Sequence, residues 1–377
     1  MRFSQVNSAG KGNVAGLLGA LALLGILGAS AAGCGESDIV DAETDDLLVA
    51  RVPASYEWPE SCIARVAAAD GSDDPEWVDS ISETGCFDLS TPGVPQAVDG
   101  ALFYDVRSPL WSDGAEKERF LFLAPGTRIE FSGDRAWKFE DGTVLAKHFY
   151  LEDRLVETRL MVKEGPRWVG ASYRWREDGS DADVVLDGAT ATIGGQEWSY
   201  PSTTDCDSCH TRASGFVLGL ATEQMNRNSD MFGLGEVDQI RGLQRAGLFT
   251  EPPDSSTYAP PLAPLDDTAA SLEYRARSYL AANCAGCHRP GGAAHTDVDL
   301  RMTVPLAETG LCEPSVASYG MPPGSLVVAA GSAEDSVLLH LLELEGSGQM
   351  PPLGVNSPDP EGRELLRNWI EQLETCE

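Results

Sequence analysis

The chain has 377 residues, enough for two or three domains, and 42% of them are hydrophobic, which allows real cores and argues against general disorder. It carries 59 acidic and 27 basic residues, a formal net charge of −32. Nucleic acid is a poor partner for such a chain, because binding there depends on neutralising phosphates. A protein partner with a basic patch is favoured, with an association that weakens as salt rises. The alternative is acidity that only keeps the protein soluble.

The first 33 residues have the pattern of an export signal. Two basic residues precede an apolar run over residues 14–32, which is too rich in Gly and Ala to be a good membrane-spanning helix. Small residues then precede Cys34, as in bacterial lipoproteins, so residues 1–33 are predicted to be removed and Cys34 to carry the lipid. That pattern usually has Leu where this chain has Ala31, so the alternative is ordinary signal-peptide cleavage after Ala31 or Ala32. We expect a lipid-anchored protein in the periplasm or at the outer membrane, or a soluble periplasmic one.

Residues 34–50 and residues 51–200 differ in charge and in hydrophobic pattern. Residues 34–50 hold six acidic residues and no basic one, which is typical of a solvated tether. Between residues 51 and 200, short alternating or apolar runs are separated by turn residues. This spacing predicts an N-terminal all-β domain, an antiparallel sandwich or a barrel. The predicted strands cover residues 119–123, 128–131, 137–140, 143–151, 155–163, 167–175 and 183–186.

Two segments share the spacing Cys-x-x-Cys-His, at residues 206–210 and 284–288. This is the attachment pattern of a c-type haem. The alternatives are one zinc site built from both thiol pairs, or a thioredoxin-like disulfide. A His after each pair, the export signal and the lack of a surrounding βαβ pattern favour haem. We therefore predict two covalently bound haem c groups, with His210 and His288 as the iron ligands and four attachment residues: Cys206, Cys209, Cys284 and Cys287.

Helices are predicted on both sides of the second motif. Helical spacing covers residues 268–283, which run into the motif, and residues 360–375, which begin after Asp359 as N-cap with Pro360 in the first turn. The order helix, haem motif, Met loop, helix is typical of a class I cytochrome c. Residues 265–377 are therefore expected to form such a domain, and mostly α-helical cytochrome c domains to follow the β domain.

A methionine is predicted as the second iron ligand at the second haem. Met350 stands in a Met-Pro-Pro loop that the terminal helix follows within ten residues, so it is preferred to Met302 and Met321. His/Met coordination raises the reduction potential of a haem.

The first haem lies in a short segment, residues 201–250, where a helix is predicted over residues 234–248. Residues 251–264 hold five prolines and are predicted to be a stiff linker. No Met-Pro loop precedes the linker, and an open sixth position would allow peroxide chemistry. The second ligand of this iron therefore stays open; packing or surface roles are the alternative for each candidate, and His295 and His340 are interpreted as non-ligands. The candidates are Met225, Met231 and His148.

The remaining cysteines suit disulfides. Nine cysteines less the lipid site and the four haem thiols leave four, and an oxidising periplasm would pair them in one of three ways. We favour the two pairs that each stay inside one predicted domain, of which the second would fasten the C-terminal helix to the haem domain. They are Cys62–Cys86 and Cys312–Cys376.

Several stretches of the sequence together resemble one known family. They are Trp111-Ser112-Asp113-Gly114-Ala115, Gly142-Thr143-Val144, Glu157-Thr158-Arg159, Tyr173-Arg174-Trp175, Val217-Leu218-Gly219-Leu220, both haem motifs and residues 350–354. Over roughly residues 80–377 the chain resembles the uncharacterised di-haem c-type cytochromes of Gram-negative bacteria, many of them predicted lipoproteins. Related modules are fused to pyrroloquinoline-quinone-type sugar dehydrogenases. The resemblance implies electron transfer, with a periplasmic dehydrogenase as one donor, although this chain contains no dehydrogenase domain.

These observations predict an exported di-haem cytochrome that carries electrons between periplasmic or outer-membrane redox partners, an electron-transfer protein more than an enzyme. One alternative is a di-haem peroxidase-like enzyme with an open first haem. The motifs begin only 78 residues apart, which is short for that class. A second alternative is a binding lipoprotein whose β domain recognises a ligand or partner. Residues 111–120 are interpreted either as a charged rim through which the β domain docks on a haem, or as a turn held by local hydrogen bonds.

Overall fold

The computed structural model describes residues 42–59, 62–66, 75–317, 319–344, 346 and 348–376. The predicted signal peptide, Cys34 and the start of the predicted tether lie outside the described residues. The strands are β1 (Arg65–Val66), β2 (Glu76–Trp77), β3 (Phe87–Asp88), β4 (Gln96–Ala97), β5 (Leu102–Phe103), β6 (Glu116–Phe122), β7 (Ile129–Glu130), β8 (Lys138–Phe139), β9 (Val144–Leu151), β10 (Arg154–Glu164), β11 (Arg167–Trp175), β12 (Ala182–Val185), β13 (Ala189–Ile193), β14 (Gln196–Tyr200), β15 (Asn228–Ser229) and β16 (Val237–Asp238).

The helices are short. They are α1 (Ala42–Val49), α2 (Thr203–Cys209), α3 (Thr222–Met225), α4 (Gln239–Arg245), α5 (Leu272–Asn283), α6 (Val337–Glu343) and α7 (Pro360–Gln372).

The central element is a six-stranded antiparallel sheet with the order β12-β11-β10-β9-β6-β5. Its long strands follow the predicted runs closely, because turn residues bound each run. The loop between β9 and β10 contains two residues with positive φ, and a bulge shifts the register of β10 between Leu155 and Glu157. The strand order shows one open sheet where a sandwich or a barrel was predicted. The other described strands form two-stranded pairs beside it.

Alternation divides the side chains of this sheet between two buried faces. One face packs on Phe87 and Ile81 from the segment before the sheet, with Phe122, Leu160 and Tyr173 at its centre. The other face contributes Leu121, Leu145 and Met161 to a second core. That core also contains Trp137 and residues of α3 and α4, so the chain after residue 200 folds back onto the sheet.

His148 is buried on the first of these faces. Its Nδ1 lies 2.7 Å from the Thr158 hydroxyl, and the ring packs against Phe87 and Phe120 at centroid distances of 4.7 and 5.3 Å. Burial lowers the pKa of His148 to about 3, because an imidazolium there would lose its hydration.

The C-terminal region forms a third core between α5, α6 and α7. Tyr279, Leu280, Leu366 and Trp369 are buried in it. The crossing of α5 and α7 is close, since a side chain at Gly362 would overlap the ring of Tyr279. The Asp359 carboxylate caps α7 by accepting from the backbone nitrogens of residues 361 and 362 at 3.1 and 3.0 Å.

The prediction of mostly α-helical cytochrome c domains is wrong. The described structure is dominated by strands, helix accounts for only about 20% of it, and its seven helices are short. The predicted helices at 268–283, 360–375 and 234–248 are present as the shorter α5, α7 and α4. The physical reason lies in residues 284–336, where seven glycines and five prolines interrupt the backbone hydrogen-bond ladder and leave turns with one short 3₁₀ segment.

The structure also bears on the predicted disulfides and on the predicted tether. Cys62 lies at disulfide distance from Cys86, and Cys312 from Cys376, the two pairings favoured by the sequence. Residues 42–49 at the end of the predicted tether form α1, whose last residue, Val49, is buried in the core with α4.

The buried His148 predicts a pH-dependent stability. Below pH 6.5 the unfolded chain binds a proton at this imidazole and the folded chain does not, so stability is complete above pH 6.5 and falls as pH decreases towards 3. His148→Asn should remove about 1.4 kcal/mol per pH unit from the slope of unfolding free energy against pH in that window. Urea unfolding between pH 7 and 4 measures this. Parallel curves for the two proteins would contradict the assignment.

Candidate functional site

A cavity of about 1650 Å³ lies between the second face of the sheet and the loops that follow residue 200. Pockets for one drug-sized ligand measure about 300–1,000 Å³, so this one has room for more than one such molecule. Its wall is formed by both Cys-x-x-Cys-His motifs, by Met350 and by β6, β9 and β10. All seven residues predicted to hold the two haems therefore line a single space.

The first motif is carried by α2, which packs flat on β11. Ser202 and Asp205 form a capping box, with Ser202 Oγ accepting from the Asp205 nitrogen at 3.1 Å and Asp205 Oδ2 accepting from the Ser202 nitrogen at 2.9 Å. A Cβ at Gly170 would lie 3.0 Å from both Cβ and Sγ of Cys206. The absence of a side chain at Gly170 thus permits the approach that places this cysteine at the cavity wall.

His210 is oriented by its own loop. Its Nδ1 lies 2.5 Å from the Phe216 carbonyl oxygen, so Nδ1–H donates there and Nε2 is left as the lone-pair nitrogen. Phe216 has a φ of 66°, which turns this carbonyl towards the ring. Neighbouring Gly215 cannot carry a side chain, because its Cβ would lie 2.6 Å from that of Ala136. Burial lowers the pKa of His210 to about 4, which keeps the imidazole neutral, as an iron ligand must be.

The second motif directly follows α5. Cys284 is the C-cap of this helix, and the His288 nitrogen donates to the Cys284 carbonyl at 2.9 Å. The Nδ1 atom of His288 faces the Thr296 hydroxyl at 3.4 Å, a longer contact than the one that holds His210. Burial lowers the pKa of His288. Both imidazoles are therefore neutral and turned by a contact at Nδ1.

The two motifs touch each other. Sγ of Cys287 lies 3.8 Å from the carbonyl oxygen of Ser208, which stands between the two cysteines of the first motif. A hydrogen bond with Cys209 lowers the pKa of the Cys287 thiol to about 7. Among the described residues no three His, Cys, Asp or Glu side chains converge on one metal position, so the four motif thiols line the cavity without forming the four-thiolate group of the zinc alternative.

Three cations form a row on the cavity face of the sheet. In the strand register, Lys147 is opposite Arg119 on one side and Arg159 on the other. Arg159 makes a two-bond ion pair with Glu157 at 2.7 and 2.9 Å, and Arg119 pairs with Asp105 at 3.2 Å. Within the described part of the chain Lys147 has no carboxylate partner.

Burial holds the pKa of Lys147 well below its ordinary value, and the neighbouring Arg119, Arg159 and Lys117 add to the effect. The nearby Glu157 carboxylate favours the charged form of Lys147, and an anion that entered the cavity would favour it further. Haem carries two propionates, so the row suits that group. Together with the paired thiols and the neutral imidazoles, it makes the residues of the cavity fit haem c.

Met350 lies in a loop that the β-rich part of the chain holds in place. The Asp113 carboxylate accepts from the backbone nitrogens of Asn356 and Ser357 at 2.8 and 2.9 Å, and from the Asn356 side-chain amide at 3.1 Å. Trp111 adds two bonds, from its indole to the Ser357 carbonyl at 2.9 Å and from its backbone nitrogen to Asn283 Oδ1 at 2.7 Å.

Residues 111–113 thus contact the chain on both sides of the second haem motif, just before Cys284 and just after the Met350 loop. A local turn is also present, since the Ala115 nitrogen donates to the Ser112 carbonyl at 2.9 Å. The turn is therefore present, whereas docking of this stretch on a haem stays a prediction.

The structure separates the candidates for the second ligand of the first iron from the cavity. Met225 and Met231 are buried in the core beneath the cavity, and His148 faces the opposite side of the sheet. Met161 and Lys147 line the cavity instead. Sequence reasoning missed both, because both faces of the sheet are buried and alternation alone does not tell which face borders the cavity.

Comparisons with family models, curated proteins and solved structures find no match to this chain. Within the described residues no helix is long and apolar enough to cross a membrane.

The hydrogen bonds that the Asp113 carboxylate accepts predict that substituting Asp113 loosens the loop after Met350. Asp113→Asn keeps the size but replaces an acceptor oxygen by an amide that cannot accept from Asn356, so the unfolding free energy should fall by about 2 kcal/mol, the usual worth of hydrogen bonds to a charged group. Hydrogen exchange should accelerate at residues 350–357. Asp153→Asn, in the exposed loop after β9, is the matched control and should change neither quantity.

If the exchange rate of residues 350–357 were the same in Asp113→Asn and in the wild-type protein, these hydrogen bonds would not be what holds the loop.

Proposed function

We propose that this protein is an exported di-haem c-type cytochrome that transfers electrons between redox partners in the periplasm or at the outer membrane. The observation that carries the proposal is the single cavity into which both Cys-x-x-Cys-His motifs and Met350 project. The spacing of each motif specifies the attachment chemistry, and the cavity supplies the volume and the cations that two such groups need.

Each motif would hold one group by the same division of labour. Cys206 and Cys209 would form thioethers to the first porphyrin, and Cys284 and Cys287 to the second, while His210 and the equivalent His288 offer Nε2 to the iron. The bound haem supplies reversible one-electron exchange at its iron. The Phe216 carbonyl fixes the tautomer of His210, and the Thr296 hydroxyl orients the ring of His288.

Met350 is the proposed second ligand at the second haem. Of the three methionines weighed for this role, it lines the cavity, whereas Met302 and Met321 do not. The backbone nitrogen of Met350 donates to the Leu341 carbonyl at 3.0 Å, which joins the loop to α6. A thioether ligand held in this way would raise the potential of that haem relative to a haem with a nitrogen ligand.

Basic residues are over-represented among those that line the cavity. Nine of the 27 basic residues line it, against six of the 59 acidic ones, in a chain of formal net charge −32. An acidic exterior favours a redox partner with a basic docking patch, and attraction of this kind accelerates encounter at low salt. Export and a lipid at Cys34 belong to the same proposal, since the two disulfide pairs suit an oxidising compartment.

The proposal is tested by expression in a bacterial host with intact cytochrome c maturation. The purified protein should be red, its mass should exceed that of the processed chain by two haem groups, and the haem should survive acid–acetone extraction because it is covalently bound. Cys284→Ala/Cys287→Ala should retain one group. Colourless protein at the bare-chain mass, with its thiols free or bound to zinc, would overturn the proposal.

The role of Met350 has its own test. Met350→Ala should remove the methionine-to-iron charge-transfer band of the ferric protein and lower one of the two reduction potentials, because the thioether donor is lost. Met302→Ala is the matched control and should keep both. An unchanged band in Met350→Ala would refute the assignment. Carbon monoxide binding to the wild-type protein separates the carrier from a peroxidase-like enzyme: binding with peroxide turnover at one haem would favour the enzyme.

A further inference from the structure

The contact between the two haem motifs has consequences that two separate haem sites would not have. Ser208 lies inside the first Cys-x-x-Cys segment, and its carbonyl oxygen is 3.8 Å from Sγ of Cys287, the inner cysteine of the second. The residues in contact are thus the attachment points themselves, although they are 79 residues apart in the sequence.

Further contacts on both sides of this point keep the motifs together. Gly286, inside the second motif, faces Leu218, whose side chain would lie 3.4 Å from a Cβ at that glycine. The Arg289 guanidinium, directly after the second motif, lies 3.4 Å from the Ala213 carbonyl oxygen, directly after the first. The apposition therefore extends over both segments and does not depend on one flexible side chain.

A c-type haem is attached through the vinyl groups on one edge of its ring, so the position of the cysteines fixes the position of that edge. Where Cys287 touches the Cys206–Cys209 segment, the two attached edges must also meet. On the basis of the proposed function, we propose that the two haems form one coupled pair, edge to edge across Cys209 and Cys287, that exchanges electrons within the chain.

The residues that would hold the pair are Cys206, Cys209 and His210 for one haem and Cys284, Cys287 and His288 for the other. The bound groups would supply one-electron exchange between their irons, with no bond formed or broken and no proton moved. A partner would then need to reach only one of the two haems to load or discharge both.

Circular dichroism in the Soret region tests the pair in the holoprotein. Two haem transitions in close contact mix and give a band with a positive and a negative lobe, whereas isolated haems give bands that simply add. We compare the full protein with two one-haem variants, Cys206→Ala/Cys209→Ala and Cys284→Ala/Cys287→Ala. The full protein should show the two-lobed band, and the sum of the two variants should not reproduce it.

A wild-type spectrum equal to the sum of the variants would overturn the coupled pair. The haem count, measured first by mass, separates this failure from failure of the proposed function: two haems with additive spectra refute only the pair, and no haem refutes both. Should a one-haem variant fail to fold, electron paramagnetic resonance of the wild-type protein decides the question. The spectrum of the fully oxidised protein should not be the sum of two isolated ferric haem signals, because neighbouring ferric irons broaden and split each other's signals, and a spectrum that is such a sum would overturn the pair.

Discussion

The structure depends most on the close approach of α2 to β11 over Gly170. Because this residue has no side chain, the helix that carries the first haem motif can rest directly on the sheet, with Cys206 against the strand. The other end of the same motif touches Cys287, so the sheet also sets the position of the second motif. A side chain at Gly170 would contact Cys206 at 3.0 Å, so the first motif, which touches the second, would have to give way by a few tenths of an ångström.

The sequence could predict the sheet and the attachment chemistry but not how they meet. Turn residues and alternation locate β6 and β9–β12 within a few residues, since both signals are local, and the Cys-x-x-Cys-His spacing is a statement about chemistry that needs no fold. Asp359 also predicted the start of α7, because a cap acts within one helical turn. Contacts between Asp113 and Asn356, 243 residues apart, have no local signature.

The wrong expectation of mostly α-helical cytochrome c domains has an instructive cause. Helical periodicity at 268–283 and 360–375 correctly marks two helices that pack on each other, and the haem motif with its Met loop between them suggested that the remainder was helical too. Residues 284–336 decide otherwise, because their glycines and prolines cannot sustain long helices. Met161 and Lys147 were missed for another reason. On a strand, the face that a residue occupies can be assigned to the cavity only when the surroundings of both sides of the sheet are known.

The Met350 loop is held by hydrogen bonds from the β-rich part of the chain, which therefore does more than lie beside the two Cys-x-x-Cys-His motifs. Asp113 is 5% exposed and adopts a φ of 51°, a backbone conformation that few residues other than glycine adopt. In this conformation the Asp113 carboxylate accepts two backbone hydrogen bonds from the loop that follows Met350. A loop anchored in this way cannot shift without breaking charge-assisted bonds in a buried place, so Asp113 holds the segment after Met350 in position from outside the C-terminal helices. The β-rich part of the chain therefore contacts both Cys-x-x-Cys-His regions, through β11 under the first motif and through Trp111 beside the second.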